Sequence, residues 1–96
     1  YDNYGVFHYL TDNKMWKELI IELEKIPTPE FLWWNMFNGW AHHKMGDIEE
    51  ASYFFDKAKS LAGPNPMKRI NYEAEIWNMK IWLEELNDVL VYHKFI

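Results

Sequence analysis

Carboxylates and imidazoles are the side chains through which this chain would do proton or metal chemistry, so their spacing is read first. The glutamates come in pairs, Glu18/Glu22, Glu49-Glu50, Glu73/Glu75 and Glu84-Glu85. A paired-carboxylate hydrolase needs two such groups desolvated in one cleft. Nothing gathers these pairs. They read as solvated helix faces and as first-turn carboxylates favoured by the helix dipole. His42 and His43 are adjacent, which on a helix points them about 100° apart, away from a shared ion. The Glu-x-x-His spacing of metal-binding bundles is absent. Ser52 and Ser60 stand without a patterned base, and there is no cysteine and no glycine-rich phosphate loop. The expectation is a protein with no catalytic residues, no cofactor and no metal.

Composition narrows the partners. The chain has 96 residues, 49% hydrophobic, with six each of Trp, Tyr and Phe. That is one small domain with ample material for a single core, at a size where roughly 60–70% of the unfolded surface is buried. Net charge is −5 and Arg69 is the one arginine, so nucleic acid is not an expected partner, because phosphate binding needs a basic face. Apolar runs such as Phe31-Leu32-Trp33-Trp34 are too short for a membrane span. A soluble chain is expected, with the cytoplasm as default setting, although lack of cysteine fits either redox compartment. Tyr1 in place of an initiating methionine is read as the mark of a processed product or of a piece of a longer chain.

The elements that must position these residues are helices. Punctuation falls at Ile26-Pro27-Thr28-Pro29, at Gly46 and at Ala62-Gly63-Pro64-Asn65-Pro66, and the segments between are helix-length with no period-two alternation. The fold class is therefore all-α. A first helix is expected over Tyr4–Leu10. A second runs from Asp12 or Asn13 to about Ile26, with Trp16, Leu19, Ile20 and Leu23 on one face. Thr28 is expected to cap a third helix with Pro29 at its first position, a device repeated at Asn65-Pro66. Gly46 closes that helix and Asp47 caps the next, with Glu50 completing a capping box and Ile48, Ala51, Phe55, Ala58 and Ala62 as its stripe. The last helix is expected from Pro66 to at least Leu86. Ile70, Ala74, Trp77 and Ile81 form one face of it, and Ile76, Met79, Leu83 and Leu86 a flank. Asn87-Asp88 is a possible break, so Val89–Ile96 either extends this helix or starts another.

The order Gly39, Lys44, Gly46-Asp47, Glu50-Ala51, Phe55, Lys57-Ala58 resembles one tetratricopeptide (TPR) unit. At an offset of 34 residues Gly5 falls on Gly39, His8 on His42 and Asp12-Asn13 on Gly46-Asp47, while Pro29/Pro66 and Trp40/Trp77 are 37 apart. The resemblance implies antiparallel helical hairpins stacked as a short TPR-like solenoid, a single domain over 1–96 with units at about 1–27, 28–62 and 65–96. The match is best over Gly39–Ala62. It departs in the first helix of the unit, where Asn35, Asn38 and His42 stand at positions that are tryptophan, leucine and tyrosine in the family.

In the family's register Trp33, Met36, Trp40, His43 and Lys44 line the concave groove and become the expected partner-binding residues. The alternative reading makes Trp33, Phe37, Trp40 and Lys44 a core stripe and turns the asparagines to water. Both remain open at this level. The function implied is a non-enzymatic scaffold holding a peptide, helix or partner protein. Its alternative is a self-assembling subunit of an oligomer or filament, in which the tail Val89-Leu90-Val91-Tyr92 packs head-to-tail on copies of itself.

Overall fold

The computed structural model describes residues 4–96, and residues 1–3 of the first expected unit lie outside them. Six helices follow in order: α1 (Tyr4–Asp12), α2 (Trp16–Lys25), α3 (Leu32–Lys44), α4 (Ile48–Ala62), α5 (Pro66–Ile76) and α6 (Lys80–Tyr92). The described residues contain no strand. Each helix packs on the next, and α6 also returns to α3. The radius of gyration is 12.1 Å and the extents are 31 × 29 × 24 Å, close to the roughly 13 Å of a compact 100-residue domain. The hairpins therefore close on one another around a continuous core.

Three turns reverse the chain in the same way, and this accounts for most of the boundaries. At the end of α3 the Asp47 N–H donates to the His42 carbonyl at 2.9 Å and the Gly46 N–H to that of His43 at 3.0 Å, with Gly46 at φ 85°. This pair of bonds is the Schellman closure, which needs one residue in the left-handed region. The same bonds run from Met15 to Leu10 and from Lys14 to Thr11 at the end of α1, and from Met79 to Ala74 and from Asn78 to Glu75 at the end of α5. Lys14 (φ 55°) and Asn78 (φ 61°) occupy the glycine's place. The three closures are 32 residues apart, so the repeat seen in the sequence near 34 is tighter in the backbone.

These closures correct several sequence expectations. α1 runs on to Asp12, and α2 begins at Trp16 instead of Asp12 or Asn13, because the Lys14 turn occupies the residues between. The single helix expected from Pro66 to Leu86 is divided at Trp77-Asn78-Met79, since asparagine tolerates the left-handed conformation better than most residues. Asn87 and Asp88 do not break α6. They face water in mid-helix, and Val89–Tyr92 extends the same helix.

The start of α3 is also displaced. Thr28-Pro29-Glu30-Phe31 forms a turn in which the Phe31 N–H donates to the Thr28 carbonyl at 2.9 Å, with proline at its preferred second position. Phe31 is extended (φ −90°, ψ 126°) and is the N-cap, so the helix starts at Leu32, not at Pro29. Pro66 does open α5. Neither Asp47 nor Asn65 makes the side-chain capping bond expected of it. The Asp47 carboxylate lies 3.6 Å from His42 Nδ1 instead.

Within the α3–α4 hairpin, Ala51, Phe55 and Ala58 are fully buried, as their spacing requires. Gly39 is the reason they fit. A Cβ on Gly39 would stand 2.8 Å from two atoms of the Phe55 ring, so the missing methyl is the space the ring fills. Gly39→Ala should lower stability by about 1 kcal/mol net, because overpacking of about 1–3 kcal/mol outweighs a helix-propensity gain of about 1. Phe55→Ala should cost about 3–5 kcal/mol. A denaturant titration that leaves the Gly39→Ala midpoint at or above the parent's removes this account of the seam. The closures predict opposite signs at equivalent positions. Gly46→Ala loses about 1 kcal/mol because it forces a Cβ into the left-handed region, whereas Lys14→Gly relieves that strain and gains about 0.5 kcal/mol. Thermal melts of the two variants check both signs.

Candidate functional site

α3 presents almost no face to water. Leu32, Trp33, Asn35, Met36, Phe37, Asn38, Gly39, Trp40 and Ala41 are all buried, enclosed by α2, α4 and α6 and touched by α1 through Phe7, whose ring is 5.3 Å from that of Phe37. Trp82 of α6 enters between α1 and α3. It stands edge-on to Phe37 at 5.2 Å and to Trp40 at 6.2 Å, with the His8 ring 4.8 Å away. Trp16 of α2 meets Trp40 from another side at 5.1 Å.

This enclosure decides where the expected groove residues lie. Trp33, Met36 and Trp40 are interior side chains of the folded chain, with no groove in front of them. Lys44 is exposed and belongs to no core stripe, and His43 is half-buried at the helix end. The asparagines do not face water either: Asn35 and Asn38 are buried. Their amides are satisfied by nearby backbone. Asn35 Nδ2 donates to the carbonyls of Pro29 and Phe31 at 2.9 and 2.8 Å, and Asn38 Nδ2 to that of Trp34 at 3.0 Å. A short amide that bonds its own helix can sit where an apolar residue was expected.

The expected partner residues are thus divided: three in the core, Lys44 in solvent, and His43 in a polar cluster that sequence reading did not assemble. His43 Nδ1 lies 3.0 Å from His93 Nε2, with ring planes at 75°. His93 rests on Phe55 at 4.8 Å, and Tyr92 is edge-on to His43 at 5.2 Å. Both imidazoles are held below their ordinary pKa. Burial is the chief cause for each, reinforced at His43 by the Lys44 charge and at His93 by His43, while Asp56 acts in the opposite direction on His93. The remaining histidines pair with carboxylates. His8 Nε2 is 3.1 Å from Asp12, and His42, near Asp47, stacks on Phe54 at 5.3 Å. Among the described residues no three of His, Asp or Glu converge as a metal set.

Large apolar side chains reach solvent elsewhere. On α5, Tyr72 and Ile76 are one turn apart, on the side away from the buried Ile70 and Ala74, and Trp77 and Ile81 follow around the α5–α6 turn. Their exposures are 64, 57, 48 and 60%. Tyr72 also borders an open cleft of about 290 Å³ lined by Ala62, Pro64, Asn65, Lys68 and Arg69. The sequence placed Trp77 and Ile81 on the buried face of one long helix. The break at Asn78 turns them outward and gives Trp82 the buried place. His93 was legible only as part of an apolar tail, because its partner is fifty residues away.

Comparison with protein-family models, with curated proteins and with solved structures finds no match. The fold itself defines a small all-α protein of six helices paired in chain order, and no helix among the described residues is long and apolar enough to cross a membrane.

Interior placement makes a measurable claim about the tryptophans. Trp40→Ala should cost about 3–5 kcal/mol of folding stability. Trp40→Phe should cost distinctly less, because the Trp40 Nε1–H is buried with no hydrogen-bond partner and its loss forfeits no bond. Urea unfolding of both variants, followed by circular dichroism, checks the order. A Trp40→Ala midpoint equal to the parent's would put this ring outside the core.

Proposed function

We propose that this chain is a non-enzymatic interaction scaffold of TPR-like helical hairpins, which holds a peptide or helix of a partner protein on the outer face of its third hairpin, α5–α6. The observation that carries the reading is the group Tyr72, Ile76, Trp77 and Ile81, exposed together within one ten-residue segment. Single exposed apolar residues are ordinary on a folded surface, whereas several large ones on neighbouring turns mark a contact site. Aromatic rings are effective anchors because they bury a large area with few rotatable bonds.

The TPR-like character is supported by the 32-residue spacing of the hairpin turns at Lys14, Gly46 and Asn78, whose closure recurs outside that spacing at Lys94. The Gly39–Phe55 seam flanked by Ala51 and Ala58 supports it further. Two features set the chain apart. Asn35 and Asn38 replace apolar positions of the family pattern, and Trp33, Met36 and Trp40, its groove positions, are buried side chains, with Trp82 of α6 against Trp40. The scaffold reading therefore moves from α3 to the third hairpin. The self-assembly reading keeps one specific support, the outward-facing Val91 and Tyr92 at the end of α6, since Val89 and Leu90 of the same tail are consumed by the chain's own core.

Peptides selected from a displayed random library on the purified protein should bind at the third hairpin. Tyr72→Ser and Ile76→Ser should each weaken them about tenfold or more, a loss of about 1.4 kcal/mol, with stability altered by no more than about 0.5 kcal/mol. Fluorescence anisotropy and thermal melts measure the two quantities. Binding indifferent to both substitutions rejects this surface. A mass that rises with concentration in light scattering, and falls back in Val91→Ser, identifies the self-assembling subunit instead.

A further inference from the structure

The segment after α6, residues 93–96, is fastened to the α3–α4 hairpin at several points. His93 meets His43 at 3.0 Å and lies on Phe55 at 4.8 Å. Phe95, only 4% exposed, stands edge-on to the same Phe55 ring at 6.3 Å. Lys59 Nζ donates to the Lys94 carbonyl at 3.0 Å. The turn is completed by Lys94 at φ 58° and by the Phe95 N–H donating to the Leu90 carbonyl at 2.8 Å.

We propose that residues 93–96 are an acid-released latch: the hydrogen bond between His43 and His93 holds the segment on the hairpin, and protonation of both rings lets it go. The chemistry follows from the two facing nitrogens. When both rings are neutral, one supplies an N–H and the other a lone pair. A first proton, added at a ring nitrogen outside the bond, leaves that bond in place. A second turns the accepting nitrogen into a donor, so that two N–H groups and two positive charges face each other where one bond had been. The closed latch accepts at most one added proton on the pair, whereas the open segment accepts two.

The surroundings set the direction of the effect. On α3, Lys44 lies beside His43 and opposes its protonation, with His42 and Asp47 paired at the helix end. On α4, Asp56 favours a charge on His93, and Lys59 holds the Lys94 carbonyl. Tyr92 stands edge-on to both rings on the last turn of α6. Burial, the largest influence on either imidazole, disfavours the charged form. Because both lie below the free value of 6.5, the open segment binds more protons than the closed one under mildly acid conditions. The closing free energy is fully present above that value and is lost as the pH falls below it. Each proton taken up on opening raises the opening constant by about tenfold per pH unit.

Amide exchange resolved by NMR on the whole chain tests this, with the His43 and His93 ring signals titrated in the same samples. Between pH 7.5 and 5, after correction for intrinsic exchange, protection of the Phe95 and Lys94 amides should fall by about tenfold or more. The fall should track the ring titrations while Ala41 and Ala58 stay protected. His43→Gln and His93→Gln, which keep a neutral bonding group but take up no proton, should flatten the change. The latch is overturned by Phe95 protection that is insensitive to pH, by protection lost together with that of Ala41 and Ala58, by loss unrelated to either ring's titration, or by an undiminished fall in both variants. This proposal rests only on the C-terminal contacts, so its outcome is independent of whether the third hairpin binds peptides.

Discussion

Everything in this fold is arranged around a helix that has almost no solvent face. α3 carries three large aromatic rings, Trp33, Phe37 and Trp40, in the core, and a fourth, Trp34, half-buried with its Nε1 donating to the Leu23 carbonyl at 3.0 Å. Such a helix must be surrounded, and one neighbouring helix cannot do it. α2, α4 and α6 close on it, and Phe7 brings α1 to its ring cluster. The energetic order is clear even in round numbers. A buried indole removes about 150–250 Å² from water, worth about 4–6 kcal/mol at roughly 25 cal/mol per Å². The unpartnered Nε1–H groups of Trp33 and Trp40 each cost about 1–3 kcal/mol. Burial wins at both positions. For Asn35 and Asn38 no such surplus exists, and their amides are buried only because carbonyls of the same helix and of the turn before it accept their protons.

Enclosure of α3 also explains why three hairpins with similar turns do not line up as equals. In the second hairpin the glycine at 39 lets Phe55 approach the backbone, which makes α3–α4 the most intimate pair of the molecule. The third hairpin docks through both helices, α5 on α4 and α6 on α3, with Trp82 between α1 and α3. α5 buries little beyond Ile70 and Ala74, and its outer side chains stay available.

Residues 93–96 are held by interactions of a different kind from those of the core. Core contacts are apolar apart from the neutral hydrogen bonds of Thr11, Asn35 and Asn38. The contacts of residues 93–96 mix one buried ring, Phe95, with a histidine pair and a lysine bonded to a carbonyl. Segments held partly by polar fastenings lie lower in local stability than an apolar core.

Residue type and spacing determined the helical class, the closure at Gly46, the start of α5 at Pro66 and the burial of Ala51, Phe55 and Ala58, because each depends on neighbours within a few residues. Capping, left-handed turns and the period of an amphipathic stripe are local physics and can be read along one strand of text. Other outcomes were decided only by the tertiary structure. The turn at Asn78 competes with a continuous helix of nearly equal local merit, and burial of Met79, Trp82 and Leu86 tips the choice. Groove and core are the same apolar stripe until something covers it, so whether Trp33, Met36 and Trp40 face a partner or the interior depends on how α2, α4 and α6 close on α3. The His43–His93 pair is the extreme case. Neither histidine carries a local sign of the other, and their meeting is set by how α6 crosses α3, a result of summed side-chain packing that no short stretch of sequence contains.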